Sequence, residues 1–395
     1  MSAITALHVS EIIQSTTVAF VNATGSTNTT DVGKELSVLL PALWSVLIVI
    51  GTVGNGLVIY TVGKNGEMTA TNCYVLNLAV ADLLFLVIVV PFTTIGFATK
   101  DWIFGDAICK IYVYMIYVTL HATCLTLTAM TVDRYHAIVH PVSSMNWRSR
   151  RASSIVSIVV WAISLMISIP FAIYHGTVNH LNANKNVYCA EVYPNVTLDN
   201  VSSVGVIITT YVFPLSVIVI CYYSILKYIW NGRAKRSSSF KQEEDCNGSA
   251  PLSSESQVRR RRRVTRMVAV VVLLFATFWF PIHVYNFCRK FVTIPQTSLM
   301  YGIKIFAHTL SYANSCVNPF VYAFLNDGFK KAFAKTFPSL YPWCPCMRTV
   351  SDERHTQVTG MVDQAIQAMP EDENDVVVTK SEVLPMTRVQ PQTDL

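Results

Sequence analysis

Charge is what this chain has least of. Only 14% of its 395 residues are Asp, Glu, Lys or Arg, where a soluble chain carries roughly 25%; 52% are hydrophobic and the mean hydropathy is +0.41. The deficit is concentrated in seven apolar runs, at 38–62, 73–98, 111–138, 153–174, 202–229, 265–288 and 303–325. Chemistry-bearing patterns are scarce too. There is no phosphate loop, zinc-ligand spacing or nucleophile triad, so neither an enzyme nor a required cofactor is expected. His136 and His140 stand four apart, but beside Arg134, a poor setting for a metal. No internal repeat is visible, and Asp82 is the one acid in the interior of the runs, which disfavours a transporter or pump. The N-terminus lacks a basic stretch leading into a short apolar core, so no cleaved signal peptide is expected and the first run would act as signal anchor.

What is present fits a bilayer. Each run reaches the ~20 residues a helix needs to cross the hydrocarbon layer. Membrane strands are about half that length and alternate in polarity, which these runs do not. Backbone groups in lipid must be satisfied within their own segment, so the expected fold is an all-α membrane protein, a bundle of seven spanning helices. The net charge of +6 is unevenly placed. Arg148, Arg150 and Arg151 lie between runs three and four; Arg233, Lys235, Arg236, Lys241 and Arg259 to Arg263 between five and six; Lys330, Lys331 and Lys335 after seven. The other side carries only scattered cations, among them Lys34, Lys100, Lys185, Arg289 and Lys290. The positive-inside rule then puts the N-terminus outside the plasma membrane and the C-terminus in the cytosol. Beside a membrane the arginine run suits anionic lipid or a protein partner, not nucleic acid. Sequons at Asn22, Asn28, Asn195 and Asn200 fall outside, as N-glycosylation sites; Asn247 falls inside and is expected to stay bare.

Residues 1–36 read as an extracellular polar tail, 37–337 as the membrane domain with a disordered cytosolic loop at 231–262, and 338–395 as a cytosolic tail. Most of the ten cysteines lie in the runs or on the cytosolic side, so no disulfide scaffold is expected. Cys109, at the start of run three, and Cys189, in the loop after run four, both lie outside and are expected to form one bridge; Cys288 has no obvious partner. Cys344 and Cys346 are candidates for palmitoylation. Phe329, Phe333 and Phe337 recur every four residues among lysines, the pattern of a short amphipathic helix in the cytosolic interface. The ending Thr393-Asp394-Leu395 can add as a strand to a PDZ-type groove.

A mid-membrane carboxylate costs about 2.5–3.5 kcal/mol even on the lenient insertion scale, so Asp82 needs polar company. Thr119 and Thr123 share one face of run three, Asn314, Ser315 and Asn318 one face of run seven, and Asn55 comes from run one. Two readings stay open: hard oxygens around one charge suit Na⁺, or a hydrogen-bonded knot surrounds a protonated acid. Asp133-Arg134-Tyr135 closes run three. Alone such a pair is a snorkelling surface pair, but Tyr222, Tyr322 and the arginine-rich start of run six flank it. Prolines interrupt run six at Phe278-Trp279-Phe280-Pro281 and run seven at Asn318-Pro319-Phe320-Val321-Tyr322, freeing backbone groups and permitting kinks.

Together with Gly54-Asn55, Leu78 to Asp82, Trp102 to Gly105, Cys109, Trp161 and Pro214, these motifs make the chain resemble the rhodopsin-like G-protein-coupled receptors over about 37–337. The resemblance implies that Asp82, Thr123, Asn314, Ser315 and Asn318 form an allosteric sodium site. It implies that Arg134 is a switch released from Asp133 to meet a G-protein helix, with Tyr135, Tyr222, Asn318, Pro319 and Tyr322 in its machinery. Pro141 and Val142 would plug into Gα, and Trp279 would sense ligand at the pocket floor. Arrestin and receptor kinases follow as further partners. Three departures matter. Arg261 stands where opsins and amine receptors latch the switch with an acid, leaving Thr265 to hold Arg134; Phe278 replaces a cysteine; Cys124 replaces an isoleucine that packs on Pro214 and Phe275.

Ile116 takes the place of the amine receptors' aspartate and Tyr312 that of the opsins' lysine, so neither ligand class is expected. The inferred pocket is broad and mixed: Phe92, Ile116, Tyr117, His121, Trp279, His283, Asn286, Arg289, Lys304, His308 and Tyr312. Each alone is more often packing or rim; their convergence favours an amidated or aromatic peptide. More finely, Ala122 to Met130, Tyr188 to Glu191 and Ala307 to Ser315 are similar to kisspeptin receptors, and Asp133 to Pro141 to galanin and allatostatin-A receptors. The first likeness implies an Arg-Phe-amide ligand and Gq, the second Gi. A ligand arginine wants a bidentate carboxylate, and Glu191, or else Asp106, is the acid on offer.

Overall fold

A computed structural model describes residues 29–65, 68–144, 148–179, 186–239, 252–292 and 297–339. Seven long helices cover most of them: α1 (Thr29–Asn65), α2 (Ala70–Thr99), α3 (Gly105–Val139), α4 (Arg150–Ile173), α5 (Val196–Ser239), α6 (Leu252–Phe291) and α7 (Ser298–Leu325), followed by the short α8 (Asp327–Thr336). Six of the seven are long and apolar enough to span a membrane by composition alone. The seventh, α7, carries Lys304, His308, Asn314, Ser315 and Asn318, and its polar groups face the bundle rather than the outside. The chain is a multi-pass membrane protein of seven helices.

The helices start where a side chain can cap them. Thr69, Ser149, Asn195, Thr297 and Asn326 each accept a backbone N–H from the first turn, satisfying donors that a helix end leaves free. Each element outruns its apolar run, because polar ends can reach past the hydrocarbon. The segment 231–262, expected to be disordered, is helical at both ends, since α5 continues to Ser239 and α6 begins at Leu252. Two π-turns were not legible: Phe85–Val89 in α2 and Ile208–Val212 in α5. Pro91 and Pro214 follow them closely. A widened turn relieves the clash of a proline ring with the preceding carbonyls.

Packing runs inward to α3. Leu78, Leu86, Leu127, Met130, Met267, Phe275 and Tyr322 are fully buried. Exposed apolar residues such as Val46, Val49 and Val53 on α1 and Ile155, Ile158 and Met166 on α4 form faces that only lipid would cover. Polar bonds tie the helices together. Asn77 donates to Thr126 Oγ1 (2.6 Å) and accepts from Trp161 Nε1 (2.6 Å), joining α2, α3 and α4.

At one end of the bundle lies an antiparallel hairpin of β1 (His175–Asn179) and β2 (Val187–Glu191), in which His175 faces Glu191. The expected Cys109–Cys189 bridge joins α3 to β2. Asp101 accepts Val187 N–H (2.6 Å) and Asp106 accepts Thr177 N–H (2.9 Å), pinning both strands. At the other end α8 buries Phe329 and Phe333 and rests Phe337 on Tyr60. Asn22, Asn28, Asn247, Cys344, Cys346 and Thr393 to Leu395 lie outside the described residues.

A Cβ at Gly51 would stand 2.4 Å from Leu86 and 2.8 Å from Cys316, while one at Gly56 meets nothing within 4 Å. Gly51→Ala should therefore destabilise the purified protein by about 1–3 kcal/mol through overpacking. Its thermal midpoint should drop clearly below those of the wild type and of Gly56→Ala.

Candidate functional site

Asp82 is the most demanding group in the bundle, at 1% exposed. Asn318 Nδ2 donates to its carboxylate at 2.7 Å and the Ser315 hydroxyl also bonds it. Asn55 does not reach the acid but donates to the Ser315 carbonyl (2.8 Å), linking α1 to α7. Beside Asp82 is a cavity of about 10 Å³ lined by Thr119, Thr123, Asn314, Ser315, Phe85, Leu120 and Trp279, about the room one water-sized particle needs. The donor set is one carboxylate with hydroxyl and amide oxygens. Such a set fits a small hard monovalent cation; among the described residues no cluster of His, Cys, Asp and Glu could hold a metal that needs three of them.

Above this cavity stand the expected ligand residues, and they divide. Trp279 and His283 are buried and face each other at 6.0 Å between ring centroids, their Nε1 and Nε2 lacking partners among the described residues. Tyr312 is packed between Trp44 and Phe85, with His308 one turn above. Tyr117 stacks on Phe171 at 3.7 Å, next to the half-buried Ile116. Asn286 and Arg289 are exposed and Lys304 is half-buried. Two of the expected residues also make contacts within the bundle. His121, 2% exposed, bonds the Tyr117 carbonyl and Thr209 Oγ1. Phe92 joins Trp102, Phe104 and Tyr112 in an aromatic cap over α2 and α3.

The two candidate acids are also engaged. Asp106 pairs with Lys110 (2.6 Å) and holds Thr177, so it belongs to the hairpin. Glu191 meets Lys290 at 3.4 Å and Arg289 at 3.8 Å, and Lys290 also pairs with Asp199. Burial raises the Glu191 pKa, but the Arg289 and Lys290 charges outweigh it and hold the carboxyl below its usual range. Residue order marks Lys290 only as an outer-side cation and does not single out Asp199; the fold shows that they clasp the hairpin to α5 and α6.

At the opposite end Asp133 and Arg134 are both buried and paired. Arg134 also donates to Thr71 Oγ1 (2.7 Å), and Asp133 receives a two-pronged contact from Arg148, at 2.7 and 3.1 Å. Arg148 had been read only as one of the basic-side charges. Tyr222 OH donates to the Thr265 carbonyl (3.2 Å), bridging α5 and α6, and Arg263 pairs with Asp327 of α8 (2.5 Å). Tyr135 OH meets His140 at 3.2 Å. Tyr322 is fully buried, its hydroxyl lacking a partner among the described residues, and Pro319 lies against Gly54. Val142, on the turn Pro141–Ser144, is 82% exposed. Cys124 donates its thiol to the Thr210 carbonyl inside the α5 π-turn (2.9 Å). Asn195 caps α5 through Oδ1, and Asn200 follows in its first turn.

A bundle with an ion-sized cavity at its centre, a clasped pocket at one end and a buried acid–arginine pair at the other is built as a transmembrane receptor. Residues 54–322 match the family model described as 7 transmembrane receptor (rhodopsin family). The chain belongs to that family, and is a receptor rather than an enzyme. It is 38% identical to "G-protein coupled receptor 54" of Oreochromis niloticus over 305 residues, 77% of this chain and 79% of that one. It is 33% identical to the "KiSS-1 receptor" of Mus musculus over 323 residues (80% and 78%) and 35% identical to the "Allatostatin-A receptor" of Bombyx mori over 317 (79% and 81%).

The Glu191 clasp sets a pH dependence. Its pKa is depressed on folding, so its stabilisation is present above the unfolded carboxyl's value of about 4.3 and is lost as pH falls through the lower folded value. Lowering pH from neutrality to below about 4 should cost the wild type more thermal stability than it costs Glu191→Gln. Parallel curves for the two would show that the clasp contributes nothing.

Proposed function

We propose that this chain is a plasma-membrane receptor for an extracellular peptide of kisspeptin type with an amidated C-terminus, signalling through Gq. The observation that carries the reading is the likeness to the receptors named G-protein coupled receptor 54 and KiSS-1 receptor over more than three quarters of the chain. Ile116 in place of an acid, and a pocket mixing aromatic, amide and cationic groups, support a peptide over an amine. The 35% identity to an allatostatin-A receptor supports the second reading, a galanin- or allatostatin-type receptor coupled to Gi. In either case the hairpin end faces outward and the Asp133–Arg134 end faces the cytosol. Arrestin and receptor kinases, lipid at the basic surface, a PDZ protein at the C-terminus, glycans at the sequons and palmitate at Cys344 and Cys346 belong to the same proposal.

The mechanism is a population shift. Ligand bound under the hairpin favours a state in which α6 swings outward below Pro281, breaking the Tyr222–Thr265 and Arg263–Asp327 contacts and exposing Arg134 to a Gα helix. Only a difference in affinity between the two states drives this; moving 1:99 to 99:1 takes about 5.5 kcal/mol. Asp82, Thr123, Asn314, Ser315 and Asn318 would hold Na⁺ in the closed state. Bound there, the ion neutralises the one deep carboxylate.

Two measurements test this. An Arg-Phe-amide peptide applied to cells expressing the full chain should raise calcium without lowering cAMP; the converse pattern favours the Gi reading, and no nucleotide exchange on any heterotrimer ends both. Replacing a large inert cation by Na⁺ should weaken agonist binding about 5-fold or more. Asp82→Asn should remove that dependence, and a mutant with an unchanged salt response leaves only a structural knot at this acid.

A further inference from the structure

The α7 wall of the pocket carries a charge that no acid among the described residues answers. Lys304 lies on the inward stripe of its helix with Ala307, Ser311 and Tyr312, at the spacing that puts residues on one face; these three are buried, while the flanking Ile303 and Phe306 face outward. Lys304 is half-buried and makes no ion pair or hydrogen bond among the described residues. The charge it feels is another cation, Arg289 of α6, and both act on His308. Arg289 reaches Glu191, its one acid among the described residues, at 3.8 Å, and Lys290 lies nearer to that acid while also pairing with Asp199. Two cations thus share two acids, with Lys290 nearer to both, and Lys304 pairs with neither.

An ammonium offers three donors, and leaving it partly desolvated without acceptors is costly. The positive charge of Arg289 at the same end of the bundle makes the cost larger. The occupant that relieves this arrangement brings acceptor oxygens. A chain end brings them into a space between helices without dragging two flanking segments after it. We propose that Lys304, backed by Arg289, docks the carboxy-terminal carbonyl of the peptide ligand, as carboxamide or as carboxylate. The proposal rests on the reading that the ligand is a peptide. It complements Glu191, which stays available to a ligand cation that can displace Arg289.

The test uses the full chain in cells, surface-labelled through an N-terminal tag, and a synthetic decapeptide ending in Arg-Phe, in amide and free-acid forms. A lost charge-assisted hydrogen bond corresponds to about 10- to 100-fold in affinity. Lys304→Met should raise the half-maximal concentration of the more active form by that factor at equal surface expression, and Lys304→Arg should restore most of it. The ratio of acid to amide potency should also change in Lys304→Met, which a lysine that only supports the helix would not bring about. The form preferred by the wild type tells whether a carboxylate or a carboxamide is docked. A wild type that responds, with Lys304→Met leaving both potencies or their ratio untouched, overturns this proposal alone. A wild type that answers neither form overturns the Arg-Phe peptide reading and this proposal with it.

Discussion

A carboxylate that cannot reach water governs the middle of this protein. Asp82 is buried among apolar helices, where an unanswered charge costs several kcal/mol, and the surrounding sequence is arranged to answer it. Asn318 and Ser315 bond it from α7, and the Ser315 carbonyl takes a bond from Asn55 on α1. That chain of contacts fixes α1, α2 and α7 to one another. It also accounts for the small residues on α1: Gly54 lets Pro319 come close and Gly51 admits Leu86 and Cys316. The proline that distorts α7 therefore sits where α1 can pack against it without a side chain between.

Electrostatics at the two ends follow the same rule, that a buried charge must be matched. Asp133 is answered twice, by Arg134 and by Arg148, so releasing Arg134 does not leave the acid unpaired. This lowers the cost of opening the switch, since breaking a buried pair is expensive chiefly when one charge is stranded. At the hairpin end the clasp sets Arg289 and Lys290 against Glu191 and Asp199, and Lys304 is left over without an acid among the described residues. One end can give up an arginine, and the other has spare positive charge to offer.

Much of this was legible from residue order. Scarcity of charge located the helices, topology placed Cys109 opposite Cys189, and the Phe329–Phe333 spacing announced α8, because each depends on local pattern alone. Asp82 was conspicuous for the same reason, and Asn314, Ser315 and Asn318 follow from helical period. The failures share a different cause. The contacts of the expected pocket residues His121 and Phe92 with Thr209 and the Trp102–Tyr112 cluster were not legible, since such contacts depend on which helices meet. The hairpin was hidden because its strands are short and lack a two-residue turn signal. The π-turns were hidden because proline reports a disturbance without saying how the backbone absorbs it. Arg148 was counted as one basic-side charge because no spacing rule relates it to Asp133, fifteen residues earlier.

These features single out α6 as the movable part. Its middle is held by shape, with Met267, Val271 and Phe275 buried against neighbours. Trp279 reaches the cavity beside Asp82 without bonding the acid. Its polar ties among the described residues lie elsewhere: Arg289 and Lys290 to Glu191, Lys290 also to Asp199, Tyr211 OH to the Ala276 carbonyl at 2.9 Å, Tyr222 OH to Thr265, and Arg263 to Asp327. All but the largely buried Lys290–Asp199 pair are contacts of side chains at or near the surface, or of a tyrosine hydroxyl with a carbonyl. Individually such contacts contribute on the order of 1 kcal/mol. Their sum is comparable to the few kcal/mol by which a ligand can bias two states. By contrast α7 is tied to the buried acid itself and to α1. A helix fastened mainly by exchangeable contacts, next to one fastened by an obligatory charge, is the one that the proposed population shift would move when a ligand alters the balance at the hairpin end.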